Sequence, residues 1–193
     1  MNVKKIYLVF SDTGTLLTRA INICTKSTLN HASIAFDEGL EEVFSFGRKS
    51  PRNPFIGGFV KEDMQNPLFR KAKCAIYSLT ITELEYSQIR KRITQMEEKK
   101  QDYRYNLIGL FGVMVNIEMQ RKNAFFCSQF VATILSESGI YHNSKPSCLV
   151  KPQDLREWHQ LELIFQGDLS NYPHLIEQQK TKQLVKKLNK VCS

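Results

Sequence analysis

Phe125-Phe126-Cys127-Ser128-Gln129-Phe130-Val131-Ala132-Thr133-Ile134-Leu135 reads as a thiol at the mouth of an apolar helix. The helix runs to about Ser138 and stops at Gly139, a residue suited to the position just past a helix end. A helix N-terminus favours negative charge, so a cysteine placed there is biased toward its thiolate. A second stretch, Asn30-His31-Ala32-Ser33-Ile34-Ala35-Phe36-Asp37, reads as a strand that begins on a histidine. An imidazole takes and returns a proton near neutral pH. A thiol at a helix mouth and an imidazole at a strand end therefore make a candidate nucleophile and base.

Around these two stretches the pattern alternates between strands and helices. Ile6–Phe10 is a short buried strand, followed by the turn Ser11-Asp12-Thr13-Gly14-Thr15. Leu16, Leu17, Ala20, Ile21 and Cys24 form one face of a helix. Asp37-Glu38-Gly39 is turn chemistry, and Glu42–Phe46 is a strand that pairs with the histidine strand as a hairpin. Residues 47–71 carry Gly47, Pro51, Pro54, Gly57, Gly58 and Pro67, a density that predicts a long functional loop. Lys73–Ile81 alternates as a strand. Thr82-x-x-Glu85 is a capping box that opens a helix to about Lys99, with Tyr86, Ile89, Ile93 and Met96 on its apolar face. Tyr105–Val115 is a helix or a buried turn; Pro152–Leu155 begins a helical turn; Leu161–Phe165 is a last strand. Leu175–Val191 is a basic amphipathic helix. This order is an α+β layout without regular βαβ alternation.

The chain has 193 residues and a net charge of +8. It reads as one domain over 1–170 with a basic helical tail over 171–193. Lys180, Lys182, Lys186, Lys187 and Lys190 concentrate the excess in that tail, without the aromatic–basic or zinc-ligand spacing of a nucleic-acid binder. Five cysteines at irregular spacing predict neither a disulfide framework nor a metal site. They fit a reducing, cytoplasmic setting. No stretch reaches the length of a membrane span, and the apolar run after Lys5 is too short for a signal peptide. Asp12-Thr13-Gly14 matches the aspartic-protease triplet, but that chemistry needs two carboxylates and no second copy exists, so the triplet reads as a helix cap.

The segments Ser11–Thr15, Asn30–Asp37, Glu42–Gly47, Tyr103–Gly109, Phe125–Leu135 and Lys151–Leu155 together resemble the circularly permuted papain-like proteins of the NlpC type, especially the YiiX/YebB-like group. The resemblance implies a cysteine helix packed on an antiparallel sheet or small barrel, and thiol chemistry on an amide, ester or thioester. It makes Cys127 the nucleophile and His31 the base. His142, His159 and His174 are the other histidines, and none begins an alternating apolar strand. The family places a polar group on the strand after the base strand. That position aligns with Ser45, and with Glu42 if the register shifts by an odd step; the two lie on opposite faces of a strand, so only one can face His31. A tyrosine upstream of the cysteine lines the oxyanion site in relatives, which points to Tyr105 and less directly to Tyr103, with Ser128 beside them at the cleft. No cofactor is implied.

Three functional classes follow. The first is an amidase- or peptidase-like thiol hydrolase acting on a small amide or peptide. The second is a lipid-directed acyltransferase or thioesterase at an anionic membrane surface, motivated by the basic C-terminal helix and the Phe55–Phe59 segment. The third is a binding module on a decayed scaffold, motivated by a hydroxyl at Ser45 where a stronger orienting group would be expected.

Overall fold

The computed structural model of the protein describes residues 2–12, 28–50 and 53–191. The helix expected over Leu16–Cys24, the positions Thr13 and Gly14, and Cys192 lie outside these residues. The fold is mixed α+β, built on a six-stranded antiparallel sheet. Its strands are β1 (Val3–Asp12), β2 (His31–Ala35), β3 (Val43–Ser50), β4 (Asn53–Glu62), β5 (Lys73–Thr82) and β8 (Glu162–Asp168), ordered β4-β3-β2-β1-β5-β8. A separate parallel pair joins β6 (Arg104–Tyr105) to β7 (Ala124–Phe125). The helices are α1 (Pro67–Arg70), α2 (Glu83–Glu98), α3 (Leu107–Met114), α4 (Cys127–Glu137), α5 (Pro152–Arg156) and α6 (Pro173–Val191).

Side chains of β1 alternate between two cores, as strand geometry requires. Ile6, Leu8 and Phe10 face a large cluster with Ala32 and Ile34 of β2, Ile89 and Ile93 of α2, and Phe130, Val131 and Leu135 of α4. Tyr7 and Val9 face a smaller one with Ala35, Cys74 and Ile76, closed by Leu169, Tyr172 and Leu175. Each Leu, Ile or Phe buried in this way contributes about 1.5–3 kcal/mol. The cysteine helix, with Phe130, Val131, Ile134 and Leu135 all at most 1% exposed, is therefore fixed on the sheet by packing rather than by propensity. The predicted capping box is present: Thr82 Oγ1 accepts from Glu85 N at 3.3 Å and Glu85 Oε2 accepts from Thr82 N at 2.7 Å. Gly139 follows α4 at φ +72°, the left-handed conformation expected of it.

One expectation is corrected. Most of the described residues in 47–71 are not loop: β3 extends to Ser50, β4 spans Asn53–Glu62, and α1 follows after a short turn. Phe59 pairs with Phe46 and is 2% exposed, so the Phe55–Phe59 segment belongs to a sheet strand and not to a flexible membrane-facing loop. Among the glycines of this stretch, Gly57 serves close packing. A Cβ at Gly57 would lie 2.8 Å from both the Gly47 carbonyl oxygen and Tyr105 Cβ. As the edge strand, β4 also tolerates Pro54, which lacks an N–H to donate.

Candidate active site

The site forms at the end of the sheet where β2 begins. Cys127 is the first residue of α4, preceded by Phe126 in extended conformation. A phenylalanine side chain offers no cap, so the first-turn N–H groups have no partner within the helix and point toward the thiol end. Gln129 reaches back instead, its Oε1 accepting from Phe126 N at 3.4 Å. Cys127 is 3% exposed, and its Sγ lies 3.6 Å from the carbonyl oxygen of Asn30, the residue before the base strand.

His31 is brought to the same place. Its ring lies close enough to Cys127 for the two side chains to interact, and it is hydrogen-bonded to Glu62. Glu62 Oε1 lies 2.6 Å from His31 Nε2. An ionised carboxylate only accepts, so Nε2 carries a proton and Nδ1 is the nitrogen left for the thiol. Burial of the imidazole works against its charge, but the Glu62 carboxylate and Cys127 outweigh it and hold the His31 pKa well above its ordinary 6.5.

Glu62 ends β4 with a side chain only 5% exposed. A buried carboxylate is costly unless fully hydrogen-bonded. Here it accepts from His31, from Ser33 Oγ at 2.6 Å and from Ser45 Oγ at 2.7 Å. Burial would raise the carboxyl pKa; the charge of His31 and these three hydrogen bonds instead keep it below its ordinary 4.5. The strands supply the geometry. β2 pairs with β3 only at Ile34–Phe44 and Ala35–Val43, whereas β3 and β4 stay paired to their tip. Toward the site β2 and β3 are no longer paired, and the Glu62 carboxylate spans Ser33 and Ser45 across the gap.

The acid acting on His31 is thus neither residue expected from the sequence. Ser45 bonds Glu62, not the imidazole. Glu42 pairs with Arg90, whose hydrogen bond holds the Glu42 carboxyl below its usual range, on the far side of the hairpin. Glu42 precedes Val43, the partner of Glu62, so strand alternation turns it to the opposite face of the sheet, toward Arg90. Sequence reasoning missed Glu62 because it falls two strands after the base strand, in the segment read as loop. The signal present was the run Phe59-Val60-Lys61-Glu62, where strand alternation puts a carboxylate on the face opposite Phe59.

The other candidates separate. Tyr105 is half-buried on β6 and pairs with Phe125, two residues ahead of the thiol. Tyr103 is 9% exposed and packs its ring on Phe46 and Phe125, in the core rather than the cleft. Ser128 donates to the Val150 carbonyl at 2.8 Å and is 1% exposed, so it ties α4 to the chain beyond it and does not face the cleft. His142 and His159 are exposed, and His174 lies 3.4 Å from Glu38. Among the described residues no cluster of three or more His, Cys, Asp or Glu side chains is placed to hold a metal ion, and Cys74, Cys127 and Cys148 are free thiols. No helix among them is long and apolar enough to cross a membrane. No protein-family model matches the chain, and no curated protein matches it significantly in sequence.

Proposed function

We propose that the protein is a thiol hydrolase of the amidase or peptidase type, on a permuted papain-like scaffold, with Cys127 as nucleophile, His31 as base and Glu62 orienting the imidazole. The observation that carries this reading is the convergence of Cys127, at the mouth of its helix, and His31, whose imidazole is held by a buried carboxylate with three hydrogen-bond donors. Burying a carboxylate and an imidazole together has a desolvation cost that a purely structural site avoids by using apolar residues.

The Cys127 proton passes to His31 Nδ1, and the thiolate attacks the substrate carbonyl carbon. The carbonyl oxygen takes the negative charge and is met by N–H groups of the first turn of α4. Collapse of the adduct breaks the bond to the leaving amine or alcohol, which takes the proton from His31. The acyl group remains on sulfur as a thioester. His31 then removes a proton from water, the hydroxide attacks the thioester, and Cys127 leaves as thiolate. Glu62 fixes the ring orientation and stabilises the imidazolium throughout, without itself taking a proton.

A second reading, acyl transfer at a lipid surface, draws on α6, whose outer half exposes Leu184, Val185 and Leu188 among its lysines. The first turns of that helix are held at the β2–β3 turn, where Gln178 Nε2 donates to the Gly39 carbonyl at 2.8 Å. That turn lies at the end of β2 opposite His31. Glu62 beside His31 weighs against the decayed-module reading, whose motive is a hydroxyl at Ser45 in place of a stronger orienting group.

Alkylation by iodoacetamide, followed at each cysteine by peptide mass spectrometry, tests the hydrolase. Cys127 should react faster than the other cysteines despite its burial, and lose that lead in His31→Ala. Cys74, whose thiol burial and Asp168 push up to about 12, is the internal standard for an inert thiol. Trapping one acyl group on Cys127 from an activated ester then identifies the acyl-enzyme. A Cys127 no faster than Cys74 in the native protein, yet equally reactive once denatured, refutes the reading.

A further inference from the structure

We propose that α3 and the turn after it form an interfacial wedge that seats the protein on an anionic lipid bilayer, with the thiol end of the molecule toward the membrane. Ile108, Phe111, Val115 and Ile117 are 52%, 63%, 64% and 53% exposed. Ile108, Phe111 and Val115 recur at three- and four-residue spacing, so they form one stripe on the helix surface. From Tyr105 through Ile117 the chain has no charged residue. A cluster of exposed apolar side chains of this kind, with no charge among them, is the pattern of an interaction site.

The patch is built, not merely left over. Asn106 is fully buried and caps the helix, its Oδ1 accepting from Gly109 N at 2.9 Å while its Nδ2 donates to the Met119 carbonyl at 3.1 Å. Ile117 N donates to the Gly112 carbonyl at 2.8 Å, closing the helix end, and Asn116 takes φ +58° to make the turn. A Cβ at Gly112 would lie 2.6 Å from the Ile117 carbonyl oxygen, so only glycine lets the turn fold back this closely. Buried polar groups thus hold the apolar side chains outward.

Its position follows from the β6–β7 pair. These strands are parallel, and Asn106 N donates to the Phe125 carbonyl at 2.9 Å. Each strand leads into a helix two residues later, α3 at Leu107 and α4 at Cys127, so both helices start from one side of the molecule. The rim favours an anionic surface: Arg104 and Arg121 are exposed and brought to the start of β7, Arg104 by its bond to Asn123 and both by pairing with Ala124, with exposed Lys122 next in the chain, against Asp102 and Glu118, on a chain of net charge +8. The stripe itself carries no Tyr, Trp or Arg, the residues that anchor protein partners. A bilayer needs only apolar depth and a cationic rim.

The inference holds whether or not Cys127 reacts, and its test does not read activity. Full-length protein is floated with vesicles of phosphatidylcholine alone or mixed with phosphatidylserine. Wild type should float with the mixed vesicles, less so at high salt. Ile108→Ser/Phe111→Ser should bind roughly tenfold more weakly, with an unchanged thermal melt because both positions are exposed. Leu184→Ser/Leu188→Ser on α6 should keep most binding. A Phe111→Trp variant gives a second readout: vesicles should shift its emission to the blue and brominated lipid should quench it, beyond the signal of Trp158. Failure of wild type to float, equal flotation of the α3 double variant, or loss confined to the α6 variant overturns the proposal.

Discussion

Replacing Glu62 separates the charge of the carboxylate from its shape. In Glu62→Gln the retained Oε1 still accepts from His31 and Ser45, and the new amide donates to Ser33, whose hydroxyl can turn to accept. The hydrogen-bond count survives; the charge does not. Hydrogen bonds to an ionised partner are about twice as strong as neutral ones, a difference of about 1–1.5 kcal/mol for the His31 contact. That energy holds His31 in its charged form, so its loss lowers the imidazole pKa. The thiolate–imidazolium pair becomes roughly tenfold scarcer, and Cys127 alkylation slows by the same factor, while the melting temperature falls by about 2–6 °C. Glu62→Ala differs. It leaves two buried hydroxyls and an imidazole without their acceptor and should cost about 3 kcal/mol, or a drop of about 6–12 °C for a chain of this size. Alkylation rates by peptide mass spectrometry and melts by circular dichroism read both. Unchanged Cys127 reactivity in a folded Glu62→Gln protein would refute the claim that the carboxylate acts on the thiol through His31.

Stability should depend on pH through the same pair. The Glu62 contribution is full above its ordinary 4.5 and lost as pH falls through its lowered value; the His31 contribution is full below 6.5 and lost as pH rises through its raised value. The melting temperature of wild type minus that of Glu62→Gln should therefore peak between 4.5 and 6.5 and shrink on either side, and a flat difference counts against the ion pair. Arg90→Ala removes a pair whose side chains are 37% and 38% exposed, so it should cost about 1 kcal/mol or less and leave Cys127 alkylation unchanged, which tests the exclusion of Glu42 from the site. Ser45→Ala takes one of three donors from a buried carboxylate and should cost about 1.5–3 kcal/mol, with slower alkylation measured alongside the melt. Gly57→Ala forces a methyl group against the Gly47 carbonyl and Tyr105, an overpacking cost of about 1–3 kcal/mol readable in urea denaturation.

The cysteine helix, the histidine strand and the capping box at Thr82 were legible because each is written locally. Apolar spacing of 3.6 or 2, a Thr-x-x-Glu box and a terminal glycine describe an element without reference to its neighbours. The β6–β7 pair was not legible in this way. Two-residue strands have no period, and what makes them strands is Arg104 and Tyr105 lying beside Ala124 and Phe125 across a sequence gap of about twenty residues.

Strand β4 was hidden by a different physical fact, and it hid the acid with it. Gly57, Gly58 and Pro54 are loop chemistry when only local preference decides. On a sheet edge the preference changes sign: proline loses no ladder bond, and glycine is what allows Tyr105 to lie 2.8 Å from where a Cβ would stand. The resemblance points to the strand next to His31, where Ser45 is the aligned polar residue. Ser45 does sit on the correct face, one strand short of its target. It donates a hydrogen bond to Glu62 and not to the imidazole, whereas the glutamate of β4 meets His31, Ser33 and Ser45 together. A hydroxyl chosen as a weak substitute for a carboxylate is in fact one of the donors that lets a carboxylate remain charged in a buried site, which is why the pattern expected at β3 and the acid found on β4 belong to one arrangement.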